Sequence, residues 1–274
     1  MSAQRPQPSF HSTPNLLSLL LPLPLSSVKT YGNSVALVGA KGCEKRSLLM
    51  QAAVRLVNVS DADATVLFLS ADKITHKPHA VHHMPAITRD TPHRVIIHYF
   101  SSSGDLIKFL ADYHRKGSCH RGILIDGLHR FAERKFLFGR EYEPQAIAGK
   151  ILALARELSF FFHRKSSNTC YLLIGTHEQA CMRPAAKVAS TAGDPSLEAL
   201  YVSLLPTLNT FVENVVRIKR DESSELPGRT HYRLTFDRFL VCFYVQERQI
   251  FLDRLEEEMQ VPPAAPAAAE AVTG

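Results

Sequence analysis

A glycine-rich segment follows the first apolar run of the chain and has the residue types of a phosphate-binding loop. It reads GAKGCEKRS at positions 39–47, and a helix-forming run begins directly after it. Loops that bind phosphates in this way follow the pattern G-x-x-x-x-G-K-S/T, and Gly39, the intermediate Gly42 and Lys45 are in register with it. Free N–H groups at a helix start and a lysine cation both attract anions. The segment therefore predicts a phosphate site built on these three residues.

Two positions of this loop depart from the pattern. Glu44 replaces the last glycine and Arg46 replaces the Ser/Thr. A carboxylate about 5 Å from a phosphate costs roughly 3 kcal/mol at an effective dielectric of about 20, unless Lys41 or Arg46 neutralises it. The missing hydroxyl normally ligates Mg²⁺, and Ser47 comes one residue too late unless the loop shifts. The residues alone leave a plain strand-turn-helix as an alternative.

Two further apolar runs end in polar side chains suited to the same site. GILID ends at Asp126, about 80 residues after the loop, and an acid in this place holds Mg²⁺ and its waters in nucleotide-hydrolysing enzymes. YLLIGTH ends at Thr176 and His177, which we expect near a terminal phosphate. Ser47, Asp126, Thr176 and His177 therefore join the predicted nucleotide site, with Asp126 binding the metal.

The elements that must position these residues alternate along the chain. Several apolar runs are continuous and do not alternate with polar residues, which predicts strands buried on both faces, as in a parallel sheet covered by helices. They lie at 34–38, 65–69, 94–100, 122–125 and 170–174. Helical patterns lie between them at 46–57, 105–114 and 144–163. Runs at 211–219, 231–236 and 239–245 predict additional strands, the last pair as an antiparallel edge. The predicted class is α/β with a mostly parallel central sheet.

Composition places the 274-residue chain among globular proteins, because 45% of its residues are apolar and 21% are charged. We predict disorder for 1–15, one folded domain over 16–258 and a disordered Pro/Ala tail over 259–274. The apolar leader LLSLLLPLPL at 16–25 is too short to span a bilayer and is interrupted by Pro22 and Pro24. We expect it to pack on the edge of the domain. Five cysteines at irregular spacing favour a reducing compartment.

Charge is concentrated in the body of the chain. The net charge is +6, and the residues before Phe251 carry 31 Lys and Arg against 21 Asp and Glu. Such a balance suggests a polyanionic partner, although many ordinary proteins share it. A basic run with Arg130, Arg134 and Lys135 either follows a phosphate backbone or forms a solvated helix face. The histidine-rich segment 75–85 lacks the thiolates or carboxylates of a zinc site and reads as an exposed loop.

The order and the amino-acid sequences of these segments resemble those of a known family. SVALVGAKG, ATVLFLS, RGILIDGLHRF, EPQAIAGKILALARELSFFFHR and YLLIGTHEQA resemble the RecA-like core of the recombinase paralogues. Within that family the resemblance is to the small SWIM-domain-associated ATPases of the animal Shu complex. It covers roughly residues 34–180.

This resemblance implies a RecA-like P-loop NTPase fold, with a mostly parallel central sheet and helices on both faces. It also implies ATP and Mg²⁺, single-stranded DNA, a SWIM-type zinc-finger partner, a recombinase filament and a nuclear role in homologous recombination repair. The family's DNA loops would correspond to 177–183 and to part of 182–210, which contain Arg183 and Lys187. No membrane partner is implied.

Hydrolysis is expected to be slow or absent, because the strand at 65–69 lacks the glutamate that activates water in RecA-type enzymes. Asp72 is the nearest acid and is one methylene shorter. Two other functions remain open at this point. One is a working ATPase that tolerates Glu44 and Arg46, and the other is a protein-binding scaffold that contacts neither ATP nor DNA.

Overall fold

The computed structural model describes residues 16–23, 32–59, 63–88, 91–133, 136–137, 140–141, 143–181, 201–224, 227–237 and 239–257. Both segments predicted to be disordered, 1–15 and 259–274, lie outside these ranges. Among the described helices, none is long and apolar enough to cross a membrane.

The elements follow one another as in the predicted alternation. The helices are α1 (Leu16–Leu20), α2 (Lys45–Val59), α3 (Thr91–Arg94), α4 (Ser103–Asp112), α5 (Leu128–Ala132), α6 (Pro144–Ser166) and α7 (Leu205–Phe211). The strands are β1 (Ser34–Gly39), β2 (Val66–Ser70), β3 (Ala80–Val81), β4 (Val95–Tyr99), β5 (Gly122–Asp126), β6 (Phe136–Leu137), β7 (Arg140–Glu141), β8 (Tyr171–Thr176), β9 (Gln179–Cys181), β10 (Tyr201–Ser203), β11 (Asn214–Arg220), β12 (Thr230–Phe236), β13 (Phe239–Gln246) and β14 (Gln249–Glu257).

Ten of these strands form one sheet in the order β3-β14-β13-β12-β11-β1-β8-β5-β2-β4. Neighbours from β11 to β4 are parallel, and those from β11 to β14 are antiparallel. The predicted α/β class and the mostly parallel sheet are confirmed. Strands β12 and β13 pair antiparallel as predicted, but they do not form the edge of the sheet, because β14 and β3 lie outside them. Because β1, β8 and β5 run side by side in one direction, their carboxyl ends place Gly39, Thr176 and Asp126 at one edge of the sheet.

Two apolar cores cover the two faces of this sheet. Helices α1 and α2 pack on one face, where Leu37 of β1 and Phe68 of β2 are fully buried. Helices α4 to α7 contribute to the core on the other face, against side chains such as Val38 and Ile125. Burial on both faces explains why the central strands read as continuous apolar runs. The prediction of helices on both faces is confirmed.

The apolar leader forms α1 and packs against α2. Leu16, Leu17, Leu19, Leu20 and Leu21 are each at most 2% exposed and belong to the core that α2 shares. The Arg55 guanidinium on α2 donates a hydrogen bond to the Ser18 carbonyl oxygen. The leader is therefore an integral part of one core, deeper in the fold than the predicted edge position.

Two predicted segments differ in the structure. The strand expected over 211–219 begins only at Asn214, because α7 occupies Leu205–Phe211 and has Pro206 in its first turn, where proline suits a helix. The histidine-rich segment is not simply an exposed loop. Its Ala80–Val81 pairs with β14, and Val81 is buried. Strand β14 itself was not predicted.

Candidate functional site

The loop between β1 and α2 turns through two residues in the left-handed backbone region. Gly42 has φ +82°, and Glu44, at the place of the last glycine in the pattern, has φ +55°. A residue with a side chain adopts this conformation at a cost of about 1–2 kcal/mol. At the start of the loop, a Cβ on Gly39 would lie 2.5 Å from the Ile218 carbonyl oxygen. The loop thus keeps its turn despite losing the last glycine.

Lys45 is the first residue of α2 and points back into the loop. Its Nζ donates hydrogen bonds to the carbonyl oxygens of Gly39 at 2.7 Å and Ala40 at 2.5 Å. Burial lowers the pKa of Lys45 to about 8, and the neighbouring Cys43, Asp126 and Glu44 offset this only in part. The free loop therefore holds a cation that gains electrostatically if an anion enters.

Glu44 is contacted by a residue outside the loop. His79 Nδ1 lies 2.9 Å from Glu44 Oε2, and Ser47 Oγ donates to the same oxygen at 2.8 Å. The His79 backbone N–H in turn donates to Ser47 Oγ at 3.1 Å. Arg46, one of the two residues that could have neutralised Glu44, bonds Asp126. The partner of Glu44 comes from the histidine-rich segment, which β3 attaches to the sheet.

Arg46 instead pairs with the acid at the end of β5. Its Nε donates to Asp126 Oδ2 at 2.5 Å, and Ser70 Oγ donates to the same oxygen at 3.2 Å. The Asp126 side chain is only 8% exposed. The loop and the Asp126 carboxylate do lie together at the sheet edge, as predicted. The contact between them is the ion pair that the Arg46 guanidinium forms with Asp126.

A stacked pair of histidines forms another wall of the site. The rings of His129 and His177 lie 3.7 Å apart at 15°, and the His177 N–H donates to His129 Nδ1 at 3.2 Å. Thr176 is fully buried behind them, accepting from the His129 N–H and donating to the His177 carbonyl oxygen. Of the two predicted phosphate sensors, only His177 reaches the cavity.

These histidines make the fold sensitive to acid. Burial, together with His177, Lys45 and Arg130, lowers the pKa of His129 to about 3. Burial and nearby cations likewise lower the pKa of His177 to about 4. Because the unfolded chain takes up these protons near pH 6.5 and the folded chain does not, stability is full above pH 6.5 and falls as pH decreases.

We expect the free energy of unfolding to drop by about 3 kcal/mol between pH 6.5 and pH 4 through His129 alone. His129→Asn keeps an acceptor for the His177 N–H and cannot titrate, so it should remove most of that slope in urea unfolding. The exposed His83→Asn is the matched control and should keep the slope. Equal slopes in both variants would contradict the assignment.

Two cavities lie on opposite sides of the loop. The first, of about 630 Å³, is lined by five cations and four carboxylates: Lys41, Lys45, Arg46, Lys73 and Arg130, and Glu44, Asp72, Asp126 and Glu133. The second, of about 790 Å³, lies between the loop and β11, with Arg217, Lys219 and Arg220 on its wall. Both share Lys41, Gly42 and His177, so the loop is accessible from two sides.

The structure brings most predicted nucleotide-site residues together. Gly42, Lys45, Ser47, Asp126 and His177 line the first cavity, and Gly39 lines the second. Arg130 lies in the first cavity, 3.1 Å from Glu133 and 3.6 Å from Asp72. The other predicted DNA-binding residues, Arg134, Lys135, Arg183 and Lys187, lie outside the described residues.

Three contributors to the site were missed from the sequence. His79 contacts Glu44, His129 stacks on His177, and Tyr232 of β12 donates its hydroxyl to the Gly42 carbonyl oxygen at 3.0 Å. His129 follows Asp126 by three residues, which is a detectable signal. Tyr232 is 190 residues from Gly42 and has none.

Comparison with known proteins supports the architecture. No family model matches the chain, and no curated protein matches its sequence. Among solved structures, a KaiC-like protein from the hyperthermophilic archaeon Pyrococcus horikoshii OT3 matches with a TM-score of 0.50, over 88% of this chain and 96% of that chain. The fold is RecA-like. Sequence identity is 12%, so the likeness to this structure concerns the RecA-like fold alone.

The site of this RecA-like chain suits phosphate groups better than Mg²⁺. Phosphate oxygens would meet the loop, Lys45 and the start of α2. A metal ion would need the Asp126 carboxylate and a hydroxyl ligand. Asp126 is already bonded to Arg46, and Ser47 is turned to Glu44 and His79. Mg²⁺ therefore does not fit the residues as they stand. Elsewhere in the described residues, no cluster of three or more His, Cys, Asp or Glu suits a metal.

Proposed function

We propose that the chain is a recombinase-paralogue subunit that binds nucleotide phosphates and single-stranded DNA, pairs with a SWIM-type zinc-finger protein, and assists a recombinase filament in homologous recombination repair in the nucleus. The observation that carries nucleotide binding is the loop at the carboxyl edge of a RecA-like sheet, with buried Lys45 inside it. The finer assignment rests on the sequence resemblance to the Shu-complex ATPases.

Slow or absent hydrolysis is part of this proposal. The water-activating glutamate that RecA-type enzymes place after this strand is missing, and the nearest acid, Asp72, is one methylene shorter and has Arg130 Nε 3.6 Å from its carboxylate. The working-ATPase alternative requires ATP turnover that Lys45→Ala abolishes. We expect no turnover above background in the purified complex.

DNA binding is supported by cations beside the loop. Arg217, Lys219 and Arg220 line the second cavity at the end of β11, together with Lys41. Arg217, Lys219 and Lys41 are exposed. Such a cluster attracts a phosphate backbone.

The residues that we propose to contact DNA directly are those predicted from the sequence: Arg183, Lys187, Arg130, Arg134 and Lys135.

We expect single-stranded DNA affinity to fall steeply with salt. The double variant Arg183→Ala/Lys187→Ala should weaken binding and reduce the slope of log K against log salt by about 1.4, since each lost phosphate contact removes about 0.7. Fluorescence anisotropy with a labelled oligonucleotide measures both. The control is Lys108→Ala/Lys150→Ala, which removes the same charge from exposed positions on α4 and α6. Wild-type protein that shows no salt-dependent binding would favour the scaffold alternative.

The partner and the compartment are tested together by affinity capture from nuclear extract with mass-spectrometric identification. Recovery of a SWIM-domain protein in near-stoichiometric amount is the expected result. Its absence from a capture in which the chain itself is soluble and folded would leave only a generic phosphate-binding RecA-like protein.

A further inference from the structure

The guanidinium of Arg46 lies where a RecA-like phosphate site would be expected to hold its metal ion. It reaches from the first turn of α2 to the end of β5, and its Nε bonds Asp126 Oδ2 at 2.5 Å. Asp126 is the acid that the sequence assigns to Mg²⁺. The same carboxylate oxygen also accepts from Ser70 Oγ. This oxygen therefore already accepts from two donors.

The second ligand that a metal would use is also committed. Ser47 is the only hydroxyl within the loop segment 39–47. Its Oγ donates to Glu44 at 2.8 Å and accepts from the His79 N–H at 3.1 Å. Turning Ser47 toward Asp126 would break both bonds and leave the partly buried Glu44 with one partner fewer. The loop shift that would make Ser47 a metal ligand is therefore opposed by the structure.

We propose that Arg46 substitutes for the divalent cation at this site, so that the chain binds phosphate anions without a metal ion. Arginine suits this role because its charge is permanent and its planar group carries five donors. Only Nε is used by Asp126, and the side chain is 37% exposed, so the remaining donors can meet a phosphate oxygen.

The substitution changes the charge that an entering phosphate meets. A divalent ion on Asp126 would leave a local charge of +1, whereas arginine on the same carboxylate leaves a neutral pair. Lys45 then supplies the main attraction, with hydrogen bonds from Arg46 and the loop. Phosphate binding should consequently be weaker than in a metal-loaded site and insensitive to chelators. This part of the inference rests on the proposed nucleotide-phosphate function.

The test of metal exclusion uses Mn²⁺ alone and needs no nucleotide. We expect electron paramagnetic resonance to show no Mn²⁺ site at Asp126 in the wild-type chain. Arg46→Thr frees the carboxylate and supplies a hydroxyl, and Arg46→Gln frees the carboxylate with a side chain of nearer size. Both variants should gain a Mn²⁺ site with an affinity at least about tenfold higher than any residual Mn²⁺ binding by the wild-type chain. Adding Asp126→Asn to either variant should remove it.

The matched control is Lys73→Gln, which removes one positive charge from the same cavity without freeing Asp126. It should gain no Mn²⁺ site. Thermal melts verify that each variant is folded, and two arginine variants are used so that one unstable protein does not decide the result. A wild-type Mn²⁺ site that Asp126→Asn abolishes would overturn the proposal, as would folded arginine variants that gain none.

A second measurement separates this inference from the proposed function. Titration calorimetry with pyrophosphate should give wild-type affinities that agree within about twofold in Mg²⁺ and in EDTA, and a preference for Mg²⁺ of at least about tenfold in Arg46→Thr. Wild-type binding that requires Mg²⁺ would overturn metal independence. If wild type binds no pyrophosphate in either buffer, the phosphate function fails, while the Mn²⁺ result still decides what occupies Asp126.

Discussion

Lys45→Met should make the free protein more stable at pH 7 while it abolishes phosphate binding. Burial lowers the pKa of Lys45 from 10.5 to about 8, which corresponds to a penalty of about 3 kcal/mol for the protonated side chain. Loss of two hydrogen bonds to loop carbonyls, each worth about 1 kcal/mol, offsets part of the gain. We expect a net stabilisation of about 1–2 kcal/mol.

The pH dependence identifies the cause. Below pH 8 the lysine is protonated in both folded and unfolded chains, so the penalty is complete. Between pH 8 and 10.5 the folded chain loses the proton first, and the penalty shrinks to zero. The advantage of Lys45→Met in chemical denaturation should therefore be full at pH 7 and should turn into a small disadvantage by about pH 10.5, where only the two lost hydrogen bonds still count.

The exposed Lys150→Met is the control for a general effect of added methionine, and it should change stability by less than about 0.5 kcal/mol. Pyrophosphate titration of the same proteins should show binding by Lys150→Met and none by Lys45→Met. A destabilised Lys45→Met would mean that the lysine holds the empty loop together, and a pH-independent difference would contradict the burial argument.

Leu19→Ala should destabilise the protein by about 3 kcal/mol. Leu19 is fully buried in α1, in the core that this helix shares with α2, so the truncation leaves a cavity rather than a solvated gap. The measurement is urea unfolding at pH 7. Removal of residues 1–23 should have a larger effect, because it uncovers the apolar side of α2, and we expect that chain to aggregate.

Two substitutions serve as controls for the leader. Leu19→Met conserves volume and should cost less than about 1.5 kcal/mol. Val59→Ala removes apolar atoms from a side chain that is 59% exposed and should have little effect. If Leu19→Ala unfolds like wild type, α1 contributes no stability and the leader is an appendage.

The sequence predicted those parts of the site that depend on strand ends. Gly39, Asp126 and His177 follow continuous apolar runs, and parallel strands must bring such ends to one edge. The class of fold followed from the same runs, since both faces of the central strands are buried. These predictions needed only local patterns and the rule for parallel sheets.

The partners of the charged residues could not be predicted in this way. Whether Arg46 neutralises Glu44 or Asp126 depends on angles around the first turn of α2, which no spacing reveals. His79 reaches Glu44 only because Ala80–Val81 pairs with β14, and β14 alternates too weakly to have been recognised. The location of the site could therefore be predicted from local sequence patterns, whereas its ion pairs depend on contacts between residues that are distant in sequence.

The pairing of β3 with β14 also has a consequence for the order of assembly. Gln249 lies beside Ala80, so the segment that carries His79 is fixed in the sheet by β14, the C-terminal strand among the described residues. Contacts this distant in sequence form late, because closing the chain between them costs entropy. In a growing chain that lacks β14, the loop would contain Glu44 without its contact to His79. We therefore expect the site to become competent for anions only after β14 has been synthesised and has paired with β3.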